Sequence, residues 1–381
     1  MLRILPDRLE FSIVVIEPIC YVRVENNMYD FTVHFKITSG KQVNLDWGDG
    51  TVDLITGDGT EVSYSHYYPS RETYPILVTG DCEDVLIFTT GGHPVEGPIQ
   101  NFQCYTNLDE LNIIDPHNFI TGNIIDIPRT LTTFTIRNND FLSGEIKDLP
   151  TNLEILFIEG DNNIITGDIS DLPQTSTDIN IISASSTING DISNLPPNLT
   201  RLGLIGQGQI TGDTADFSSP IHSITLDDNN IITGDVVNIS SSISFFRVYG
   251  NNTITGNINT VPTTIYDFYV KGNNTIYGDL GCEFVRRITY FELAGNNTID
   301  SYTPISWSTD TIMSFTLIPV DPGGLNTTDI DNLLIDWDSS DTITSYGHIT
   351  LTGSCESRSA ASDDAVANME SRGITITLNT V

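Results

Sequence analysis

Gly256-Asn257-Ile258-Asn259-Thr260-Val261-Pro262, followed by Ile265, Phe268 and Val270 and then by Gly272-Asn273-Asn274-Thr275-Ile276, is one copy of a unit that fills the middle of this chain. Its leading glycine recurs at Gly122, Gly144, Gly167, Gly190, Gly212, Gly234, Gly256 and Gly278, always 22 or 23 residues apart. A period of that length marks stacked coils of a solenoid, in which each coil buries its apolar side only against its neighbours.

The offsets from the glycine show how a coil is built. Two residues before it stand Leu142, Ile165, Ile188, Ile210, Ile232, Ile254 and Ile276, and two after it Ile124, Ile146, Ile169, Ile192, Val236, Ile258 and Leu280. Both columns are expected to point inward. At plus nine, twelve and fourteen lie Leu131, Phe134, Ile136, then Leu153, Leu156, Ile158, then Leu199, Leu202, Leu204, then Ile265, Phe268, Val270. The last two positions alternate as a half-buried strand does. Asparagine pairs precede the glycine at Asn162-Asn163, Asn229-Asn230, Asn251-Asn252 and Asn273-Asn274, with Asn296-Asn297 continuing the series. Their amides suit a turn whose backbone groups no strand partner reaches. The glycine suits a positive φ or a close backbone approach.

From about Gly97 to Leu317 this unit resembles the leucine-rich repeat family, with its order L-x-x-L-x-L-x-x-N-x-L-x-G-x-I, and its glycine-isoleucine ending is most similar to the plant-type variety. It departs at Ser185-Ser186 and Gln207-Gly208, where the asparagine pair is replaced. The resemblance implies a binding scaffold and does not choose a ligand.

Ahead of the repeats, residues 1–92 read as short strands, Phe11–Ile16, Tyr21–Glu25, Phe31–Ile37, Val43–Asp46, Tyr74–Val78 and Val85–Phe88, separated by turn residues. Asp46-Trp47-Gly48-Asp49-Gly50-Thr51, then His66-x-Tyr68, then Tyr74-Pro75-Ile76-Leu77-Val78 resemble the PKD domain, an immunoglobulin-like sandwich common in extracellular and surface proteins. The first element is shortened, and Glu72 stands where that family has a glycine. Asp49-Gly50 fits a tight hairpin. Asp46, Asp49 and His66 read as turn chemistry ahead of a metal site, because no spaced second ligand pair accompanies them.

Past Leu317, Pro319-Val320-Asp321-Pro322-Gly323-Gly324 breaks the pattern. Thr328 is expected to cap a helix through about Asp336, and a second helix, Ala361–Ser371, leads into the alternating strand Ile374–Leu378. Strand-helix units of this kind would cover the last coil, which otherwise exposes core and strand edges. The expected fold is mainly β: a PKD-like β-sandwich over 1–92, a leucine-rich repeat solenoid over 93–320 and a short α/β cap over 321–381.

Charge is lopsided, with 16 Lys plus Arg against 50 Asp plus Glu and a net charge of −34. That argues against nucleic-acid phosphates and anionic lipid surfaces as partners, and spread acidity keeps a long β-rich chain soluble. No stretch approaches the length and apolarity of a membrane span. Near the N-terminus, Asp7, Arg8 and Glu10 interrupt any export signal, and Glu17-Pro18-Ile19 before Cys20 does not make a lipoprotein cleavage site. Five scattered cysteines, Cys20, Cys82, Cys104, Cys282 and Cys355, give no disulfide framework and no zinc spacing, and read as single thiols, with a Cys82–Cys104 bridge as the alternative.

Catalytic motifs are missing: no G-x-S-x-G, H-E-x-x-H or phosphate-binding glycine loop appears. His34, His66, His93, His117, His222 and His348 fall in different elements. Aspartates are so abundant that paired glycosidase carboxylates have no specific signal. Neither a cofactor nor a metal is expected. The position after the repeat glycine carries Glu145, Asp168, Asp191, Asp213, Asp235 and Asp279; these carboxylates are expected to be exposed and screened, with a bridging cation as the less favoured reading.

The candidate site comes from the outward side chains of the strands. Successive coils offer Phe245, Arg247 and Tyr249, then Asp267, Tyr269 and Lys271, then Tyr290 and Glu292, aromatic and charged groups side by side on the concave sheet. Aromatics with Arg are enriched at interface hot spots, while cross-strand packing that only stabilises the sheet is the competing explanation. The resulting expectation is a non-enzymatic binding or assembly protein. Its suggested setting is a bacteriophage virion, as a fibre, spike or decoration component held by residues 1–92 and contacting neighbouring virion proteins or a host surface protein or glycan. A bacterial cell-surface adhesin and a carbohydrate-active enzyme are the alternatives.

Overall fold

The computed structural model describes residues 2–5, 8–11, 18–24, 30–217, 220–307, 312–320, 323–340 and 342–379. The chain divides into two compact units, Met1–Asn163 and Ile164–Val381.

The first unit opens with an antiparallel pair, β1 (Leu2–Leu5) and β2 (Arg8–Phe11). Seven further strands follow: β3 (Cys20–Arg23), β4 (Phe31–Ile37), β5 (Gln42–Asp46), β6 (Val52–Thr56), β7 (Glu61–His66), β8 (Thr73–Gly80) and β9 (Val85–Gly91). They form two antiparallel sheets, one in the order β6-β5-β8-β3 and one in the order β7-β4-β9. Strand β4 shows why: Phe31, Val33, Phe35 and Ile37 are buried while Thr32, His34 and Lys36 between them are not. Phe31 meets the Trp47 ring, which follows β5, edge-on at 6.3 Å.

Neither sheet stops near residue 92. β10 (Val95–Pro98) pairs antiparallel with β3 and parallel with β12 (Phe119–Asn123), which pairs with β14 (Leu142–Glu145). β9 pairs parallel with β11 (Glu110–Ile113), which continues to β13 (Thr133–Ile136) and β15 (Ile155–Glu159). Each sheet thus changes from antiparallel to parallel pairing without a break in its hydrogen bonding, so the first coils have no uncovered strand edge on that side.

Differences from the expected strands lie in this unit. Strands β6 and β7, which follow each other in the chain and join different sheets, carry no sequence signal of this kind, because apolar residues lie on the outside: Val52 and Leu54 are 54% and 63% exposed, so no inward period of two is visible. The expected strand Phe11–Ile16 lies outside the described residues beyond Phe11, as does Glu25 at the end of the next one.

The second unit consists of two parallel ladders. One runs through β17 (Asp178–Ile182), β19 (Arg201–Ile205), β21 (Ser223–Asp235), β22 (Phe245–Asn257), β23 (Asp267–Gly272), β25 (Tyr290–Gly295) and β27 (Ile312–Pro319). The other runs through β16 (Ile164–Asp168), β18 (Thr187–Asp191), β20 (Ile210–Asp213), the C-terminal parts of β21 and β22, then β24 (Thr275–Asp279) and β26 (Thr298–Ser301).

In the long ladder, equivalent residues face each other: Ile224, Phe246, Phe268, Phe291 and Phe315 form one row, and its aromatic members stack, with Phe268 and Phe291 at 6.0 Å and Phe291 and Phe315 at 4.5 Å. In the second ladder the register slips by two, so that Gly212 faces Ile232, Gly234 faces Ile254 and Gly256 faces Ile276. Ile232, Ile254 and Ile276 are nevertheless all fully buried in equivalent places. The slip explains the invariant glycine of the unit. At Gly256 φ is +115°, and a Cβ there would lie 2.2 Å from Asp235 Oδ1 of the preceding coil, so the position needs both the left-handed backbone and the missing side chain.

Asparagine holds the coils together from inside. In the first unit Asn118, Asn139 and Asn163 accept from the backbone N–H groups of Val95, Ile120 and Leu142 at 3.0, 2.7 and 2.9 Å. In the second, Asn230, Asn252, Asn274 and Asn297 accept from Ile210, Ile232, Ile254 and Ile276 at 2.7–3.2 Å. Each amide is buried and satisfies a donor that the slipped ladder leaves unpaired. At the departure Ser185-Ser186 the Ser186 hydroxyl takes the same role toward Ile165, at 3.1 Å.

Beyond β27 the long ladder continues with β28 (Ile343–Leu351) and β29 (Thr375–Leu378), both parallel. Helix α1 (Thr327–Ser339) buries Ile330, Leu333, Leu334 and Trp337, and α2 (Asp363–Ser371) buries Ala365, Val366 and Met369. Trp337 packs edge-on against Phe315 at 4.9 Å. The cap of α1 is Asn326, accepting from Asp329 N at 3.1 Å, and not Thr328, so an amide two residues earlier starts the helix. These elements cover the last row of the coil core, as a solenoid end requires.

Candidate binding face of the long ladder

Alternation along β22, β23 and β25 turns Phe246, Val248, Phe268, Val270, Phe291 and Leu293 inward and their neighbours outward. The register then places Phe245, Asp267 and Tyr290 in one outward row and Arg247, Tyr269 and Glu292 in the next. Tyr249 is the next outward position of β22, and Lys271 that of β23, one residue before its end. All eight residues singled out from the sequence therefore share one face of three adjacent strands.

On that face the charges are already paired. Arg247 clamps Asp267 with both arms of its guanidinium, Nε donating to Oδ1 at 2.7 Å and Nη2 to Oδ2. That hydrogen bonding raises the arginine's pKa further. Lys271 Nζ lies 2.7 Å from Glu292 Oε1. The cations also lie on the rings, Arg247 4.6 Å from the centre of Tyr269 and Lys271 5.0 Å from that of Tyr249, an arrangement that orders both partners. Burial pushes the phenols of Tyr249 and Tyr269 above their usual range, with Glu292 adding to the first and Arg247 opposing in the second. Both hydroxyls are consequently donors at neutral pH. Tyr290 donates to the Met313 sulfur at 2.8 Å.

Asp267 differs from its reading as an outward ligand group. Although it lies on the outward row, it is fully covered, with Arg247 bound across both of its carboxylate oxygens. It positions the arginine and offers nothing to a partner directly.

Residues just ahead of the strands complete the surface. Tyr266 is 39% exposed and meets Phe245 edge-to-face at 4.7 Å. Together with Thr200, Arg201, His222, Ser223 and Ser244 they line a recess of about 520 Å³. Thr200, His222, Ser244 and Tyr266 all stand ten residues after a repeat glycine, a column whose regular spacing is its one sequence signal, since its residue types are polar and varied.

Other residues marked in the sequence have local tasks. The acidic column caps the one-turn helices that follow each short strand: Asp168, Asp191, Asp213 and Asp235 accept from the N–H two residues on at 2.9–3.0 Å, and Asn123 and Asn257 do the same in their coils. Glu145 has no such bond. Near the N-terminus, His66 stacks on Trp47 at 4.9 Å and lies 2.8 Å from Asp49. Burial works against the Asp49 carboxylate, but hydrogen bonds from Thr51 and His66 outweigh it and bring its pKa down to about 2. Tyr68 donates to the Trp47 carbonyl at 2.9 Å. Asp46 accepts from Gly48 N, so the Asp-Gly turn chemistry accounts for these groups. All five thiols are free, with Cys20, Cys282 and Cys355 buried, and the Cys82–Cys104 bridge is not formed. Among the described residues, no three His, Cys, Asp or Glu side chains converge on a point that could hold a metal ion, and no helix is long and apolar enough to cross a membrane.

No family model matches the chain, and no curated protein matches it. Among solved structures it is similar to the plant peptide hormone receptor RGFR1 in complex with RGF2, at 15% identity and a TM-score of 0.43, over 75% of this chain and 58% of that one. The chain thus spans less than two thirds of the receptor chain's length.

Proposed function

We propose that the chain is a non-enzymatic binding protein that presents the outward face of the long ladder, around Phe245, Arg247, Tyr249, Tyr269, Lys271, Tyr290 and Glu292, to a protein or glycan. The observation that carries this reading is the face itself: four half-buried aromatic rings and two neutralised ion pairs, with Asp267 fully covered and the other three partners half-buried, in a chain of net charge −34. Ordered aromatics need lose little entropy on contact, and a locally neutral patch imposes no charge on its partner.

The N-terminal sheets are read as the PKD-like sandwich that the Trp47, Asp49, His66 and Tyr68 constellation resembles, and as the part that attaches the chain. The setting proposed is the exterior of a phage particle, as a fibre, spike or decoration component. Its support is compositional: an acidic β-rich chain of two repeat-binding and surface-type modules. Mass spectrometry of purified particles tests the setting, with a stoichiometric band expected and its absence removing it. For the face, Tyr269→Ala in the full chain should weaken retention on host cells or on particles lacking the protein, with its circular dichroism unchanged. Undiminished retention would move the contact to another surface.

A further inference from the structure

The recess beside the aromatic face has a composition of its own. Phe245 and Tyr266 wall it as an edge-to-face pair, an arrangement that leaves ring surface open, and Tyr266 is exposed. Thr200, Ser223 and Ser244 bring hydroxyls to it, and His222 an exposed imidazole. At the far side Arg201 Nη1 lies 3.2 Å from Asp178 Oδ2, with the arginine side chain 59% exposed. Asn180 donates to the other oxygen of the same carboxylate at 2.6 Å. This pair spends one of the five guanidinium donors and keeps the rest for a ligand.

Three features choose the ligand. The strands β19, β21 and β22 beneath the recess are each paired on both sides, so a peptide finds no strand edge to extend. Arg201 is neutralised by Asp178 and the chain carries −34, which disfavours an anion. What is left is a cleft of small-ligand size with ring faces on one wall and neutral donors and acceptors around the rest. That pattern matches a molecule with an apolar C–H face and a rim of hydroxyls.

We propose that this recess binds an uncharged hexose or N-acetylhexosamine unit of a polysaccharide, stacked on Tyr266 and Phe245 and hydrogen-bonded by Arg201, His222 and the Ser223 and Ser244 hydroxyls. The inference rests on the reading of this ladder as a binding face and adds its ligand class.

The test uses the full-length protein on a surface bearing neutral gluco-, galacto-, manno- and N-acetylglucosamine oligosaccharides, their sialylated and sulfated counterparts, and a set of unstructured peptides. Retention of at least one neutral oligosaccharide is expected, about tenfold weaker for Tyr266→Ala, the equivalent of one lost ring contact, and weaker again for Tyr266→Ala with Phe245→Ala. Both variants should keep the wild-type circular dichroism. Retention of no sugar, preference for the anionic glycans, binding to peptides alone, or neutral-sugar binding unmoved by Tyr266→Ala would each overturn the assignment. The broader reading fails separately: if Tyr269→Ala weakens retention on cells or particles while no neutral sugar binds, the face remains a contact surface and only its sugar is lost.

Discussion

Asp235 and Asp267 lie in consecutive coils, yet one holds a backbone N–H at the rim of a turn while the other lies fully covered beneath an arginine. The rim carboxylates recur coil after coil and serve only the turn they belong to. Asp267 and Arg247 occur once, on the outward face, and each depends on the other. A strongly acidic chain can therefore place a recurring carboxylate where a backbone donor awaits it, and neutralise another with a cation on the outward face of the ladder. All three ladder cations of the second unit, Arg201, Arg247 and Lys271, are paired there.

The largest effect should come from separating the covered pair. Arg247→Ala leaves Asp267 buried without its partner and is expected to cost about 3 kcal/mol, measured by chemical denaturation of the full chain; a loss within error would mean that Asp267 is reached by water. Next is a buried carboxylate in the first unit. Burial raises Asp115 to about 6, against hydrogen bonding from Thr90 at 2.6 Å. Its ionised form is thus disfavoured in the folded chain, so its contribution is most favourable below the unfolded value and is lost as pH rises from about 4 through 6, by up to roughly 3 kcal/mol. Asp49 has the opposite sign: its stabilisation is present above about 4 and fades as pH falls toward 2. Denaturation midpoints of wild type and Asp115→Asn should converge toward acid and separate above pH 6, and parallel profiles would refute the buried charge.

A repeated contact should cost less. Asn252→Ala removes the acceptor for Ile232 N, orphaning a buried donor at about 2 kcal/mol, and hydrogen exchange should show the opening concentrated at that coil. Global loss of protection would show instead that the coils do not act as neighbours only. The smallest change is at the rim: Asp235→Ala should cost about 1 kcal/mol as a lost cap, while Asp235→Asn, which copies Asn257 of the next coil, should be close to neutral. A marked loss for the asparagine variant would bring back a role for the charge itself.

The coil interior was legible in the sequence because each inward position recurs, so Ile254 and Phe268 announce themselves through their counterparts. The eight face residues were legible for the same reason, since alternation around known inward positions leaves the outward ones. What recurrence does not carry is the two-residue slip of the second ladder, which depends on how Asn252 reaches back to Ile232. It carries nothing of one-off contacts either: that Asp267 is covered follows from the length and direction of Arg247. Strand β6 leaves no such trace because its exposed Val52 and Leu54 blur the inside-outside contrast that a period of two needs.

Because β9 and β10 pass directly into parallel pairing, the first coils of the first unit are templated on strands that are already paired, and within each unit a coil is templated on the one before it. The 22-residue segment is then a cassette. Duplicating or deleting one such segment within 164–300 reproduces the same joint on both sides, so the number of coils, and with it the length of the second unit's ladders at roughly 4.8 Å per copy, can drift by unequal recombination while the neighbouring coils keep their chemistry.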